Sequence, residues 1–423
     1  MNIGTFQNVT VQDIAFEGGN LYGIYAIQTQ NLLINNCSFD KFGAQAFGCY
    51  RLYNSTISNN TFNDCLQTAI YVQSVTNPYI NVTITGNTIT NTAQLIGMGS
   101  WNQFGDYSAI SAAVYSGLVC NYNSITDVGD CGIKWGGSDA EIGYNWIFNY
   151  CDLLQDHGAI YNYWDVGGGV YYDNRRIHNN FIFYGIGAPE GTAQNVRRAS
   201  PIYMDGVNGH VLIDSNYANN YARSGVNCNC DSFVTIRNNI FVPGDSYIFL
   251  NARVFGIQQV GTNVLRNVLV SQNLGYLFGT NQSNIYYTAG AIGSSQIAAN
   301  LSAIGIIDSN YFSYQNNTVW RVETGTPYSL NLYNHLGFQT LTSGFGANDV
   351  LLSIQPKYNT YFVSNYSSSP ATVPISGTWN DYKGNSFTNS ITLQPYTANF
   401  LFYQGRAASN YIITNNKPAQ KRN

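Results

Sequence analysis

Short stretches in which apolar and polar residues alternate recur along most of the chain. Val82-Thr83-Ile84-Thr85, Val211-Leu212-Ile213-Asp214 and Val234-Thr235-Ile236-Arg237 each turn every second side chain to one face, the period of a β-strand rather than the 3.6 of a helix. Soon after each comes Asn-x-(Ile/Phe/Ala), as in Asn60-Thr61-Phe62, Asn87-Thr88-Ile89, Asn145-Trp146-Ile147 and Asn239-Ile240-Phe241. Cys37-Ser38-Phe39 fits the slot one repeat earlier, and Asn310-Tyr311-Phe312 continues it later. From position 37 to 239 the intervals are 23, 27, 36, 22, 35, 36 and 23 residues.

A basal repeat of 22 to 23 residues is one coil of a three-strand parallel solenoid; the Leu-x-x-Leu-x-Leu frame of leucine-rich repeats is absent. Asn suits the turn because it tolerates left-handed backbone and its amide bonds to the stacked neighbour, so the ladder is read as structural. The expectation is an all-β chain: a right-handed, single-stranded parallel β-helix over residues 1–320 and a small β-rich cap or module over 321–405. A flexible tail follows over 406–423. Within the cap, 329–336 reads as a short helix, Val373 to Tyr403 as antiparallel strands, and Gly377 to Gly384 as a hairpin turn. Repeat sequence already begins at residue 3, so an open solenoid end predicts chain before Met1.

The intervals of 35 and 36 residues must extrude a loop of roughly a dozen, the usual position of binding sites on solenoids. In the same stretch Gly132-Ile133-Lys134, Ala159-Ile160-Tyr161, Pro201-Ile202-Tyr203 and Gly225-Val226-Asn227 read as one strand on successive coils. With the isoleucines and valine inward, Lys134, Tyr161, Tyr203 and Asn227 share one outward row, and Gly136, Tyr163, Asp205 and Asn229 the next. Asp205, beside tyrosines, is the candidate general acid or base, with Asp156 one coil earlier as its partner. Two carboxylates flanking a bond are what hydrolysis of a glycosidic link requires. This pairing demands that the chain turn back at His157-Gly158; Asp106 and Asp130 are alternative partners.

Composition supports a neutral, polar ligand. Charged residues are 9% of the chain, aromatics 15%, and Tyr alone numbers 34. A surface of Asn, Ser, Thr and Tyr stacks on and hydrogen-bonds sugars, whereas 18 basic against 22 acidic residues offer no stripe for phosphates. Trp135, His157, Trp164 and His178 complete the candidate substrate-binding set. Arg175, Arg176, Arg197 and Arg198 read as loop charges, one of which is a candidate for an acidic sugar, and His178, Asp214 and Arg237 as a surface ladder. The eight cysteines show no zinc spacing and read as buried fillers, and no metal or cofactor is expected. No apolar run approaches a membrane span, and the polar surface points to an extracellular or periplasmic location.

The run Asp156-x-Gly-Ala-Ile-Tyr161, then Arg176 to Ile182, then Ile202-Tyr-x-Asp-Gly206, resembles the right-handed β-helix carbohydrate-active proteins of bacteria, nearest to glycoside hydrolase family 141. The motifs span about residues 130 to 240. The resemblance implies a polysaccharide or oligosaccharide substrate, fucosidase- or xylanase-like hydrolysis, and two aspartates carried over to Asp156 and Asp205. His157 stands where the family usually has a small residue, and Gly206 where it often has a second acid. Two other readings stand beside it. One is a polysaccharide lyase with Lys134 as base and Ca²⁺ as a possible cofactor; the other is a non-catalytic glycan-binding surface or phage-fibre solenoid.

Overall fold

The structure, a computed structural model, describes residues 1–74, 81–98, 107–163, 172–190, 196–206, 209–229, 232–244, 252–259, 266–278, 282–289, 304–314, 320–324, 329–333, 348–353, 355 and 357–405. The chain winds as a right-handed parallel β-helix, each coil giving one strand to each of three sheets. In one coil, Gln45–Tyr53 lies in the first sheet, Ser55–Ser58 in the second and Thr61–Cys65 in the third; Ile70–Ser74 then returns to the first. The described strands number 13, 11 and 12 in the three sheets.

Alternation drives the winding, since each strand turns one apolar side chain inward onto the equivalent residue of the next coil. On the first sheet Ile24, Phe47, Ile70, Ile110, Ile133, Ile160, Ile202, Val226, Phe255 and Ile285 pair in unbroken register. All are at most 1% exposed. At roughly 25 cal/mol per Å² of apolar surface, such columns are the main stabilising term. Matching columns run through the second sheet (Ile34, Ile57, Ile84) and the third (Phe39, Phe62, Ile89).

The asparagine ladder closes the turn between the second and third sheets. Asn145 Oδ1 accepts from the backbone N and Nδ2 of Asn123, while its own Nδ2 donates to Cys120 O and Asn180 Oδ1 at 2.8 and 2.9 Å. The pattern runs from Asn60 through Asn310 to Asp349, taking in Asn273, which the sequence motif passed over. The left-handed residue is the one before the ladder position (Asn59, Tyr122, Tyr144, Asn179, Ser215, Asn238), not the ladder Asn itself. The ladder amide is thereby left free to serve as a buried hydrogen-bond hub.

Three expectations are corrected here. Ser329–Tyr333 is a strand, paired antiparallel with Trp320–Thr324, rather than the start of a helix; Ser-Leu-Asn-Leu-Tyr alternates with period two. Helix strands also continue past 320 to Val350–Ser353, and the separate sheet begins at Thr360. That sheet is four-stranded and antiparallel, as the alternation in its sequence predicts, but its hairpin turn is confined to 382–385, and Gly377 to Asp381, expected in the turn, belong to the strand before it. It packs on the outside of the third sheet, where Phe362, Phe400 and Phe402 meet Trp146, Phe181, Phe183 and Tyr276. The proposed tail, 406–423, lies outside the described residues. Among the described residues Cys37, Cys49, Cys65, Cys120, Cys131, Cys151 and Cys228 are free and buried, in keeping with their reading as fillers.

Candidate functional site

The outer face of the first sheet carries the two predicted rows in the expected register. Lys134 pairs with Tyr161, Tyr161 with Tyr203 and Tyr203 with Asn227; beside them Tyr163 pairs with Asp205 and Asp205 with Asn229. The Tyr163 side chain and the whole of Trp164 lie outside the described residues.

The first row is not an open floor. Tyr161 and Tyr203 are 2% and 3% exposed and Asn227 is fully buried, so the row is covered by side chains packed over it. The Arg223 guanidinium lies 5.0 Å from the Tyr203 ring centre, the His157 ring meets Tyr161 edge-on at 4.7 Å, and the two tyrosines meet at 5.3 Å. Lys134, Asp205 and Asn229 remain half-buried at the edge of this layer.

Asp205 is the best positioned carboxylate. The Tyr161 hydroxyl donates to Oδ2 at 3.0 Å and Asn229 Nδ2 donates to Oδ1 at 2.6 Å, fixing both oxygens. Burial, followed by the neighbouring Asp205 charge, pushes the Tyr161 phenol far above its ordinary range, so it stays a neutral donor. Tyr203 is raised by burial too, with Arg223 acting the other way.

Asp156 does not join Asp205. It has a left-handed backbone and precedes the strand His157–Tyr163, which runs straight: His157 pairs with Ala199, Gly158 with Ser200 and Tyr163 with Asp205. The turn-back at His157-Gly158 that the pairing required is absent. Along the backbone, six residues of strand, about 20 Å at ~3.3 Å per residue, lie between His157 and the position beside Asp205, although both carboxylates act on the Tyr203 phenol. Asp156 is instead clamped by Arg198 at 3.3 Å and by Arg223. Burial would raise its carboxyl, but the two guanidinium charges outweigh this and hold it below the ordinary aspartate range.

Asp130, one of the alternative partners, is buried and holds His157, its Oδ1 2.6 Å from His157 Nδ1. Burial alone would lower the imidazole's pKa, and the Asp130 carboxylate more than offsets that and leaves it raised. Asp106 lies outside the described residues.

Further candidates fall elsewhere. Trp135 is 2% exposed and part of the core, its inward position following from the same alternation that turns Lys134 outward. His178 belongs to the second sheet, a different face, where it is buried, bonds Glu141 at 3.1 Å and takes the Tyr144 ring edge-on. Asp214 does pair in register with His178 and Arg237, but its ion pair is a two-pronged one with Arg176, both contacts at 2.7 Å. Arg175 is not a loop charge: it is 3% exposed, stacks 5.4 Å from Trp135 and donates to Gly209 O. Arg197 is tied to Gly187 O and Glu190. Arg223 was missed in the sequence, where nothing distinguishes it from a turn residue; its role comes from reaching back one coil to Tyr203 and further to Asp156.

The sequence matches the family model described as the right handed beta helix region over residues 1–109. A search of the curated proteins finds no match. Among solved structures the chain is similar to the receptor-binding domain of the siphovirus 9NA tailspike, with 9% identity over 82% of this chain and 55% of that one and a TM-score of 0.41. It is also similar to the catalytic domain of a GH87 alpha-1,3-glucanase, with 14% identity over 82% and 64% and a TM-score of 0.43. A third is an alginate lyase, with 10% identity over 82% and 79% and a TM-score of 0.37. The chain thus spans 55% and 64% of the first two. The family-model match and the winding of the strands through three parallel sheets make the chain a right-handed parallel β-helix.

Proposed function

We propose that the protein cleaves glycosidic bonds of a polysaccharide laid against the outer face of the first sheet, with Asp205 as the carboxylate at the reacting bond. The observation that carries this reading is the grip on Asp205: both oxygens are fixed by Tyr161 and Asn229 while the residue itself stays half-open to solvent. A carboxylate held by neutral donors in a partly dry site is suited to proton transfer or to attack on a sugar carbon. Asp156 has no part in the bond-breaking step; it orients Arg223 over Tyr203. The few charges of the chain favour a neutral glycan. This reading places the protein outside the cytoplasm, where such polymers occur.

A second reading, β-elimination on a uronate polymer, draws on Lys134, half-exposed and in register with Tyr161. The two separate on a panel of neutral and acidic polysaccharides assayed for reducing ends and for the absorbance of a new carbon–carbon double bond. Reducing ends without absorbance, abolished by Asp205→Asn, are expected. Absorbance lost in Lys134→Ala would replace hydrolysis by elimination, and glycan binding without cleavage, equal in wild type and Asp205→Asn, would make the protein a binding solenoid.

A further inference from the structure

Asp130, Cys131 and His157 bring a carboxylate oxygen, a sulfur and an imidazole nitrogen within 4.8 Å of one another. Asp130 and Cys131 lie just ahead of the strand Ile133–Ser138, and His157 opens the strand that pairs with it, so the donors come from two adjacent coils. Cys151 lies beside this triad, its sulfur 3.9 Å from Asp130 Oδ1, but it is not among the donors that lie within 4.8 Å of one another. The place is nearly closed: the Asp130 and His157 side chains are 6% and 16% exposed, and both cysteines are buried.

One nitrogen, one carboxylate oxygen and two sulfurs are the donor set of a borderline divalent ion in tetrahedral coordination. Hard ions such as Ca²⁺ and Mg²⁺ take oxygen alone and are disfavoured by the sulfurs. We propose that Asp130, Cys131 and His157, with Cys151 as fourth donor, form a zinc-class metal site. Bonds of about 2.0–2.3 Å around one ion require the Asp130 oxygen and His157 nitrogen, now 2.6 Å apart, to open slightly and the Cys151 sulfur to move in toward the other donors. The cysteine thiols give up their protons on loading. With no open face, the site is structural: it locks His157, and through the edge-on ring contact it positions Tyr161, the donor to Asp205. That last consequence rests on the carbohydrate reading; the ligand set does not.

Cobalt(II), added to reduced and chelator-treated protein, is the test, because its colour reports both thiolate ligation and tetrahedral geometry. One equivalent is expected to produce thiolate-to-cobalt absorption and tetrahedral visible bands, bleached by one equivalent of Zn²⁺. Cys131→Ala should abolish the thiolate band and His157→Gln should weaken cobalt binding by about tenfold or more. Cys37→Ala, a buried thiol on a distant coil, should change nothing. Should Cys131→Ala not fold by circular dichroism, proton release on adding Zn²⁺ to the wild type replaces it, with at least one proton per ion expected. A colourless wild type, a band that survives in folded Cys131→Ala, or zinc addition without proton release overturns the site. No glycan enters these measurements, so they fail or succeed independently of the proposed cleavage.

Discussion

A phenol that burial keeps from ionising is a dependable donor, and Tyr161 spends that donor on Asp205. Tyr161→Phe removes the hydroxyl and little else, so turnover on a cleaved polysaccharide should fall roughly tenfold or more while stability changes by about 1 kcal/mol. Rate assays beside urea unfolding would check both. Asp156→Asn, by contrast, should lower activity only through a loosened Arg223, and Arg223→Ala should reproduce its effect; equal losses in Asp156→Asn and Asp205→Asn would restore the aspartate pair. Period-two alternation was enough to set Lys134, Tyr161, Tyr203 and Asn227 in one row, because register along a stacked strand is local information. It could not show that the row is covered, because the cover comes from His157 and Arg223, which reach across from neighbouring positions and leave no pattern in their own segments.

At the scale of the element, the turn between the second and third sheets depends on one amide per coil. Asn145 sits at 0% exposure with four hydrogen bonds to three residues on the two flanking coils, two through Oδ1 and two through Nδ2. Asn145→Ala leaves several of those partners buried and unpaired, so a loss of about 3 kcal/mol or more is expected in urea unfolding. The third sheet makes a different demand at Gly185, which pairs with Tyr150 and Tyr221 on the flanking coils. A Cβ there would come within 2.2 Å of the fully buried Tyr150 ring. Gly185→Ala should therefore cost about 1–3 kcal/mol through overpacking, measured as a lowered unfolding midpoint. The ladder was legible wherever the third residue was Ile, Phe or Ala; Asn273-Leu274-Gly275 escaped because Gly275 fills that slot, and Asp349 because a carboxylate replaces the amide.

Over the whole molecule, the antiparallel sheet is a flank rather than an end cap, since its aromatic residues reach strands as far apart as Trp146 and Tyr276. Phe400, 2% exposed, meets Tyr276 at a tilt and Phe402 edge-on. Phe400→Ala should cost about 3–5 kcal/mol and expose the sheet to proteolysis before the coils, as limited digestion followed by mass analysis would show. The sequence placed these strands but not their docking, because the apolar outward residues of the third sheet read as ordinary alternation until a partner is seen on them. The spacing of the ladder has one more consequence. Consecutive rungs are separated by 22 residues in one coil and 39 in another, yet each asparagine rung from Asn60 to Asn310 gives its backbone N–H and Nδ2 to the side-chain oxygen of the next. The length of chain between rungs is thus a free variable for descent: new surface can be spliced into a coil, or trimmed from it, without the stack registering the edit.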